Sequence, residues 1–337
     1  MNVHLAVPDL FRPDRDARDP AAPQRLPALE TIVARGRRAR GAAASFEQWL
    51  LETWRTAGAA PHALVADGGA ARAGWWLRAD PVSLRVSRET VVPFDASTFA
   101  LTRAEADALA AHLNRHFADR DIVFEALQPE RWYVRAPEPL GRDAVPLAAA
   151  RGTPIGVRPG AGGDEARLQA LLTEIQMVLH DHPVNEAREQ AGAPPVNGVW
   201  LWGGGRHAPP AARPFRRVRT HDPLAAGLAL GSGAAVLPVP EDASRWLRSA
   251  GENGAELIVL DGLRAPLAYG DLAAWGERRA ALERDWFAPL AEALREQRIG
   301  MITLHAIGPE ALRVETTRQD LRYFWRRARP LETYARA

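Results

Sequence analysis

The chain has 337 residues, of which 47% are hydrophobic and 25% are charged, and its formal net charge is +2. This composition is typical of a globular protein with one large domain or two modest ones. All 43 basic residues are Arg and there is no Cys, which excludes a P-loop lysine, a lysine Schiff base, disulfides and Cys-ligated zinc.

The first elements are a strand and two helices. An apolar stretch at residues 3–7 predicts a strand that runs into Asp9, for which a turn or cap carboxylate is the plain alternative to a ligand. Residues 26–33 predict a helix. Ser45 begins the next helix, and a Ser in that position favours an N-cap, in which its oxygen accepts a backbone N–H.

The pattern changes between about residues 67 and 139, where short strands surround one helix. Thr102 and Glu105 form the capping-box pattern of that helix. We predict an inserted α+β lobe at residues 67–150 and a core of residues 1–66 and 151–337. The strands carry four arginines, Arg78, Arg85, Arg88 and Arg135, which solvent alone would satisfy; their candidacy as ligands comes from the family resemblance described below. His112 and His116 have metal-ligand spacing but favour a solvated pair.

A long amphipathic helix at residues 164–180 leads into an unusual segment, residues 182–205. There the pattern predicts a short polar helix that ends at Gly192, a Pro-Pro turn, a buried strand at residues 196–202 and a glycine loop. For His182, the simplest interpretation is that its imidazole forms a hydrogen bond with nearby backbone and binds no metal. In an α/β domain, ligands usually bind at the carboxyl ends of strands, where this loop would lie.

An arginine-rich stretch follows the glycine loop and contains no acid between Glu189 and Asp222. Its basic residues include Arg206, His207, Arg216 and Arg217. Backbone N–H groups of a glycine loop and guanidinium groups together favour an anion site. The alternative is a loop that is only solvated.

The last third of the chain predicts more α/β elements. These are a helix at residues 224–230, strands at 234–239 and 256–260, a helix at 273–295 and a strand at 301–305. The aromatic and basic tail at residues 321–327 predicts an edge strand. A nucleic-acid stacking platform would require that tail to be exposed.

Residues 182–205 resemble the signature of the archaeal-type cofactor-independent phosphoglycerate mutases, which belong to the alkaline phosphatase superfamily. The matching features are His-Pro-Val-Asn, Arg188, Gly192, a Pro-Pro pair, Asn197 and Trp-x-Trp-Gly. The resemblance implies an α/β, alkaline-phosphatase-like fold, a mostly parallel sheet between helices with a smaller inserted α+β lobe. The expected ligand is a small phosphorylated or carboxylated metabolite. The candidate ligand-binding residues are Arg78, His182, Asn185, Arg188, Asn197, Gly203, Gly204, Gly205, Arg206, Arg216 and Arg217.

The family's catalytic positions are largely replaced. Leu267 and Asp271 stand where the resemblance implies a metal-binding Asp and His, and the last strand ends in His305 without the implied Asp. Phe46 follows Ser45, the implied nucleophile, where an acid is expected. The chain resembles a bacterial group of RpfE-type regulatory proteins, so we expect a protein without catalysis and without a cofactor.

The alternative is an active metal-dependent 2,3-bisphosphoglycerate-independent phosphoglycerate mutase or phosphatase with a rearranged site. It would use Ser45 with Mn or Zn held by Asp9, Asp271 and His305, together with His207. We expect a small anionic metabolite as the ligand, and a protein partner is compatible with the sequence. We expect no nucleic-acid partner, because the net charge is low. The N-terminus turns charged early and no apolar run has membrane length, so we expect a cytoplasmic protein with no membrane partner.

Overall fold

The structure is a computed structural model that describes residues 1–12, 24–87, 90–140, 144–150, 163–249 and 254–335. Its strands are β1 (Asn2–Pro8), β2 (Arg37–Arg40), β3 (Trp75–Ser87), β4 (Thr90–Asp95), β5 (Val123–Gln128), β6 (Arg131–Ala136), β7 (Gly198–Gly205), β8 (Arg217–Arg219), β9 (Ala235–Leu237), β10 (Ala255–Val259), β11 (Met301–Ile307) and β12 (Leu312–Thr317).

The α-helices are α1 (Pro27–Arg35), α2 (Phe46–Trp54), α3 (Ala59–Ala66), α4 (Arg103–His116), α5 (Leu147–Ala150), α6 (Gly163–His180), α7 (Pro183–Gln190), α8 (Pro223–Gly231), α9 (Ala243–Ser249), α10 (Arg264–Ala268), α11 (Leu272–Leu282), α12 (Ala288–Arg295) and α13 (Glu332–Ala335). A π-helical turn, Glu283–Phe287, joins α11 to α12, so the helix predicted at residues 273–295 has an irregular centre. The chain forms two compact units, residues 1–54 with 211–337, and residues 55–210.

The first unit, called the core unit, contains a seven-stranded sheet in the order β2-β12-β11-β1-β10-β8-β9. The five strands from β11 to β9 are parallel, while β12 and β2 are antiparallel. Val3, Leu5 and Val7 of β1 are fully buried, as expected of a central strand covered on both faces. The prediction of an α/β fold with a mostly parallel sheet flanked by helices is confirmed.

The second unit contains an antiparallel sheet in which β4, β3, β6 and β5 follow one another and β7 also pairs with β3. Helices α4 and α6 contribute their apolar faces to one core with this sheet, including Leu109, Leu113, Leu171 and Ile175. β7 is the strand predicted at residues 196–202. It is antiparallel to β3, so its end is not the carboxyl edge of a parallel sheet.

The unit boundaries differ from those expected. The lobe predicted at residues 67–150 takes in residues 55–66 and 151–210 as well. The reason is the pairing of β7 with β3, together with α3, which packs on both strands, and α6, which packs on β7.

The predicted edge strand at residues 321–327 is wrong. The tail forms a 3₁₀ turn, Asp320–Arg322, and then leaves the sheet. β12 already pairs with β11 on one side and with β2 on the other, so it offers the tail no free edge. In the described ranges, every helix is too short or too polar to cross a membrane.

Candidate functional site

Three aspartates follow parallel strands of the core unit where those strands end. Asp9 comes directly after β1, Asp222 shortly after β8, and Asp261 after β10. β1 pairs with β10, and β10 with β8, all in parallel. Their carboxyl ends therefore meet at one edge of the sheet, where α/β proteins place their ligands.

Arg264 is the cation among these carboxylates. It begins α10 and donates a short hydrogen bond through Nη2 to Oε1 of Glu47, in the first turn of α2. The same guanidinium lies 5.0 Å from the centre of the Phe46 ring. Its charge also acts on Asp9 and Asp222. We call this group, Asp9, Glu47, Asp222 and Asp261 around Arg264, the acid cluster.

The pKa values of the carboxyls show how the cluster shares one positive charge. Burial acts to raise the pKa of Glu47, but the attraction and hydrogen bond of Arg264 outweigh burial, so that pKa is lowered. Burial raises the pKa of Asp9, with Arg264 opposing it. Burial also raises the pKa of Asp222 to about 6, again against Arg264. Glu47 is thus the carboxylate that Arg264 neutralises most directly.

Asp9 has a left-handed backbone, with φ 58°. This conformation is uncommon outside glycine, although Asp tolerates it better than most residues. The residue is fixed from both sides, because its N–H donates to the Ile307 carbonyl at 2.9 Å and its own carbonyl accepts from Trp275 Nε1 at 3.0 Å. An uncommon backbone held in this way at a sheet edge is typical of functional positions.

The predicted metal ligands do not assemble around Asp9. Asp271 caps α11, where its carboxylate accepts from the Ala274 N–H at 2.9 Å. His305 is stacked on His4, with 3.2 Å between the ring nitrogens. Across the described part of the chain, no group of three or more His, Asp or Glu side chains is arranged to hold a metal ion. The described residues therefore do not bring together the ligands of the two-metal site that the resemblance implies.

His4 and His305 are neutral partners in the core unit. Burial is the largest cause that lowers the pKa of His305, to about 3, and the pKa of His4, to about 4. Trp49 and Phe215 lie against the pair, with ring centres 5.2 Å from His305 and 5.1 Å from His4 respectively. His305 is thus part of an aromatic cluster.

Ser45 caps α2, as its position in the sequence favoured. Its Oγ accepts from the Gln48 N–H at 3.1 Å. It also hydrogen-bonds with Glu47, which adds to the lowering of the Glu47 pKa. The hydroxyl oxygen thus supports the helix start and the carboxylate beside Arg264.

The residues of the 182–205 signature bond mainly to backbone within the second unit. His182 caps α7, and Asn185 links the carbonyls of Leu179 and Val196 at 2.7 and 3.0 Å. Arg188 donates to Pro194 O, Ala100 O and Glu105 Oε1 at 2.8 to 3.0 Å. Asn197 exchanges two hydrogen bonds with the backbone of Leu84. These contacts give the signature a structural role, and ligand binding by it stays a prediction.

Arg78 is buried between two aromatic rings, Tyr133 and Trp202, at 5.1 and 5.5 Å from their centres. It donates to Asp80, and Trp202 Nε1 donates to the other oxygen of that carboxylate at 2.6 Å. Arg135 pairs with Asp121 at 2.7 Å, and Arg85 lies over the Phe94 ring. Arg88 lies outside the described residues.

The three glycines Gly203, Gly204 and Gly205 belong to β7 and do not form a loop. A Cβ at Gly205 would lie 2.6 Å from the Cα of Gly58, so packing before α3 requires glycine there. Arg206 follows in the second unit and is exposed, whereas Arg216 and Arg217 are in the core unit. Arg216 is exposed and Arg217 pairs with Glu256 at 3.2 Å. Both lie at the start of β8, away from the edge that carries the acid cluster.

Two solved structures are similar to this chain. The PH0037 protein from Pyrococcus horikoshii has 13% identity and a TM-score of 0.57, covering 94% of this chain and 87% of that one. A cofactor-independent phosphoglycerate mutase from Thermoplasma acidophilum has 16% identity and a TM-score of 0.48, covering 99% and 94%. No protein-family profile and no curated protein matches the chain. The likeness to PH0037 shows a shared fold, and the TM-score of the mutase supports no argument on activity.

Sequence reasoning missed most of the acid cluster. Asp9 was a candidate, but Glu47, Asp222 and Arg264 were not. One available signal was the position of Asp261 after the strand predicted at residues 256–260, since the ends of such strands converge in a parallel sheet. No local pattern pairs Glu47 with Arg264, because the two are 217 residues apart.

Proposed function

We propose that this chain is a phosphoglycerate-mutase-like protein of the RpfE type that does not carry out metal-dependent phosphoryl transfer. Its role is to bind a small phosphorylated or carboxylated metabolite as a regulatory protein. The observation that supports the absence of metal-dependent phosphoryl transfer is the position of the Arg264 guanidinium within the acid cluster. The proposed binding of a metabolite rests on exposed arginines, above all Arg216.

Arg264 competes with any divalent cation for the same carboxylates. Two-metal phosphoryl transfer needs carboxylates that bind the metal ions while these stabilise the attacking and leaving oxygens. Here Glu47 is bonded to Arg264, and Glu47 and Asp222 hold the pKa of Arg264 above its ordinary value, against the opposing effect of burial. An arginine remains charged at any pH relevant to a protein. A permanent internal cation thus takes the electrostatic place of a metal.

Arg216 and Arg217 are consecutive arginines at the start of β8 in the core unit. No carboxylate of the described ranges forms an ion pair with Arg216, while Arg217 reaches Glu256. Guanidinium groups recognise phosphate and carboxylate oxygens through paired, charge-assisted hydrogen bonds. These two residues support binding of a small anion by the core unit. Arg206 is a separate exposed arginine of the second unit.

We expect no turnover of 3-phosphoglycerate or of a generic phosphate monoester when Mn²⁺ or Zn²⁺ is added to the folded protein. The measurement is product formation, compared with the metal alone and with Ser45→Ala and Ser45→Asn. The Asn variant keeps an N-cap on α2 and removes the hydroxyl, so it distinguishes a nucleophilic role of Ser45 from its role as an N-cap. Turnover that both variants abolish would overturn the proposal and establish the active-enzyme alternative.

We expect 3-phosphoglycerate to stabilise the protein without being consumed. At a free concentration of about 100 Kd, the gain is about 2.7 kcal/mol, seen as a saturable rise of the thermal midpoint. Arg216→Ala/Arg217→Ala should abolish this rise. Arg278→Ala/Arg295→Ala, which removes two other exposed arginines of the same unit, should not. Equal loss in both double variants would show only a general charge effect and would contradict the site.

A further inference from the structure

The tail after β12 presents two large aromatic side chains to solvent. Phe324 is 74% exposed and Trp325 is 63% exposed. The rings of Phe324 and Tyr323 lie against Trp325, with centres 5.3 and 5.1 Å away. Tight backbone bonds hold the segment, including Arg326 N to Tyr323 O at 2.9 Å. Trp325 is therefore a positioned, accessible ring and not a side chain of the core.

A groove of about 790 Å³ lies beside Trp325, and five of its lining residues are arginines. We call it the arginine groove: Arg37, Arg38, Arg326, Arg327, Arg329 and Trp325. Arg37 and Arg38 come from β2, the exposed edge strand of the core sheet. None of the described residues that line it is acidic.

Most of these arginines have no carboxylate partner in the part of the chain that the structure describes. Arg37 pairs with Glu315 at 3.3 Å, and Arg326 donates to the carbonyl of Arg35 while its guanidinium lies over Tyr323. For Arg38, Arg327 and Arg329, the described ranges contain no carboxylate at ion-pair distance. Three guanidinium groups at one groove thus have no carboxylate partner among the described residues, although that of Arg38 lies 5.2 Å from the centre of the Tyr334 ring.

We propose that the arginine groove binds single-stranded nucleic acid. Arginines that follow a backbone of phosphates, combined with an aromatic side chain on which a base stacks, are the elements of sequence-tolerant strand binding. An acidic protein segment would engage the arginines but would leave the exposed faces of Trp325 and Phe324 without a matching group. From the sequence, the low net charge argued against a nucleic-acid partner, and a stacking platform required the tail to be exposed. The structure shows Phe324 and Trp325 of this tail exposed.

The binding test uses the full chain and a labelled oligouridine of about 12 nucleotides, within the usual range of strand site sizes. Fluorescence anisotropy should show saturable binding that weakens between about 50 and 200 mM salt, with a slope near −0.7 for each phosphate contact. A duplex of equal length should bind more weakly, because its bases cannot stack on Trp325. Absence of strand binding at low salt would overturn the proposal.

Variants separate stacking from charge. Trp325→Ala should weaken binding by about 5- to 150-fold, the effect of one lost base stack, while Trp325→Phe should retain most of the affinity. Arg327→Ala/Arg329→Ala should reduce the salt slope by about 1.4. The matched control, Arg278→Ala/Arg295→Ala, removes the same charge from α11 and α12.

Two results would overturn the proposal even if the strand binds. Equal loss in the control and groove double variants, with no effect of Trp325→Ala, would indicate diffuse charge attraction. Binding of an acidic peptide that depends on Trp325 and exceeds strand binding would make the groove a protein interface. Because the variants lie outside the acid cluster, failure of this test leaves the proposed function unaffected.

Discussion

Replacing Arg264 with Met is expected to destabilise the core unit by about 3–5 kcal/mol at about pH 7.5, because it leaves a buried carboxylate without its counter-charge. Glu47 is buried, and its Oε2 has no hydrogen-bond partner in the structure. The measurement is urea unfolding, with hydrogen exchange of β1 and β10 to locate the loss. Arg278→Met, at an exposed position, should change stability by less than about 0.5 kcal/mol.

The loss should shrink as the pH falls. In the wild type, Arg264 keeps the pKa of Glu47 lowered, so this group adds stability above its unfolded pKa and loses it in acid. Without Arg264 only burial and weaker bonds remain, so the pKa of Glu47 should rise above its unfolded value. Protonation then favours the folded variant, and the gap to the wild type narrows between about pH 7.5 and 5.

A second substitution tests the cause. Arg264→Met/Glu47→Leu removes both charges and should recover most of the lost stability, since a buried pair exchanged for apolar groups is often neutral. A loss of the same size at every pH, or no recovery in the double variant, would contradict an electrostatic role. The acid cluster would then not be organised by Arg264.

The parallel core was predictable because its central strands are buried on both faces. Their apolar runs stand out at residues 3–7, 256–260 and 301–305, and the structure places β1, β10 and β11 there. The edge strand β2 was missed since Arg37–Arg40 is fully exposed and has no alternation. It pairs with the side of β12 that β11 does not occupy.

The position of β7 was not predictable from its own residues. An apolar run such as residues 199–202 suits a parallel or an antiparallel neighbour equally well. Its partner β3 precedes it by more than a hundred residues, and the pairing becomes visible only in the structure, for example in the register of Asp80 with Trp200. The same holds for the site, because the hydrogen bond between Arg264 and Glu47 joins residues 217 positions apart in the sequence. Long-range pairing is what the sequence alone did not reveal.

Asp80→Ala is expected to cost the second unit about 3–5 kcal/mol, since it leaves the Arg78 guanidinium buried without its carboxylate. Burial acts to lower the pKa of Arg78, but Asp80, together with Tyr133 and Asp67, outweighs burial and keeps that pKa above its ordinary value. The change also removes the acceptor of Trp202 Nε1. Urea unfolding with hydrogen exchange of β3 and β7 measures the effect, and Asp107→Ala, in an exposed pair with Arg103, should cost less than about 1 kcal/mol.

Arg78→Met should be the milder member of the pair. The carboxyl of Asp80 then retains the Trp202 donor, whereas the guanidinium left by Asp80→Ala stays charged and loses its acceptor. Arg78→Met/Asp80→Leu should recover part of the loss. If Arg78 instead serves a ligand, Arg78→Met would abolish stabilisation by 3-phosphoglycerate and leave the unliganded protein as stable as before. Because Arg78 is enclosed by Tyr133, Trp202 and Asp80, we expect the reverse, a stability loss with ligand response unchanged.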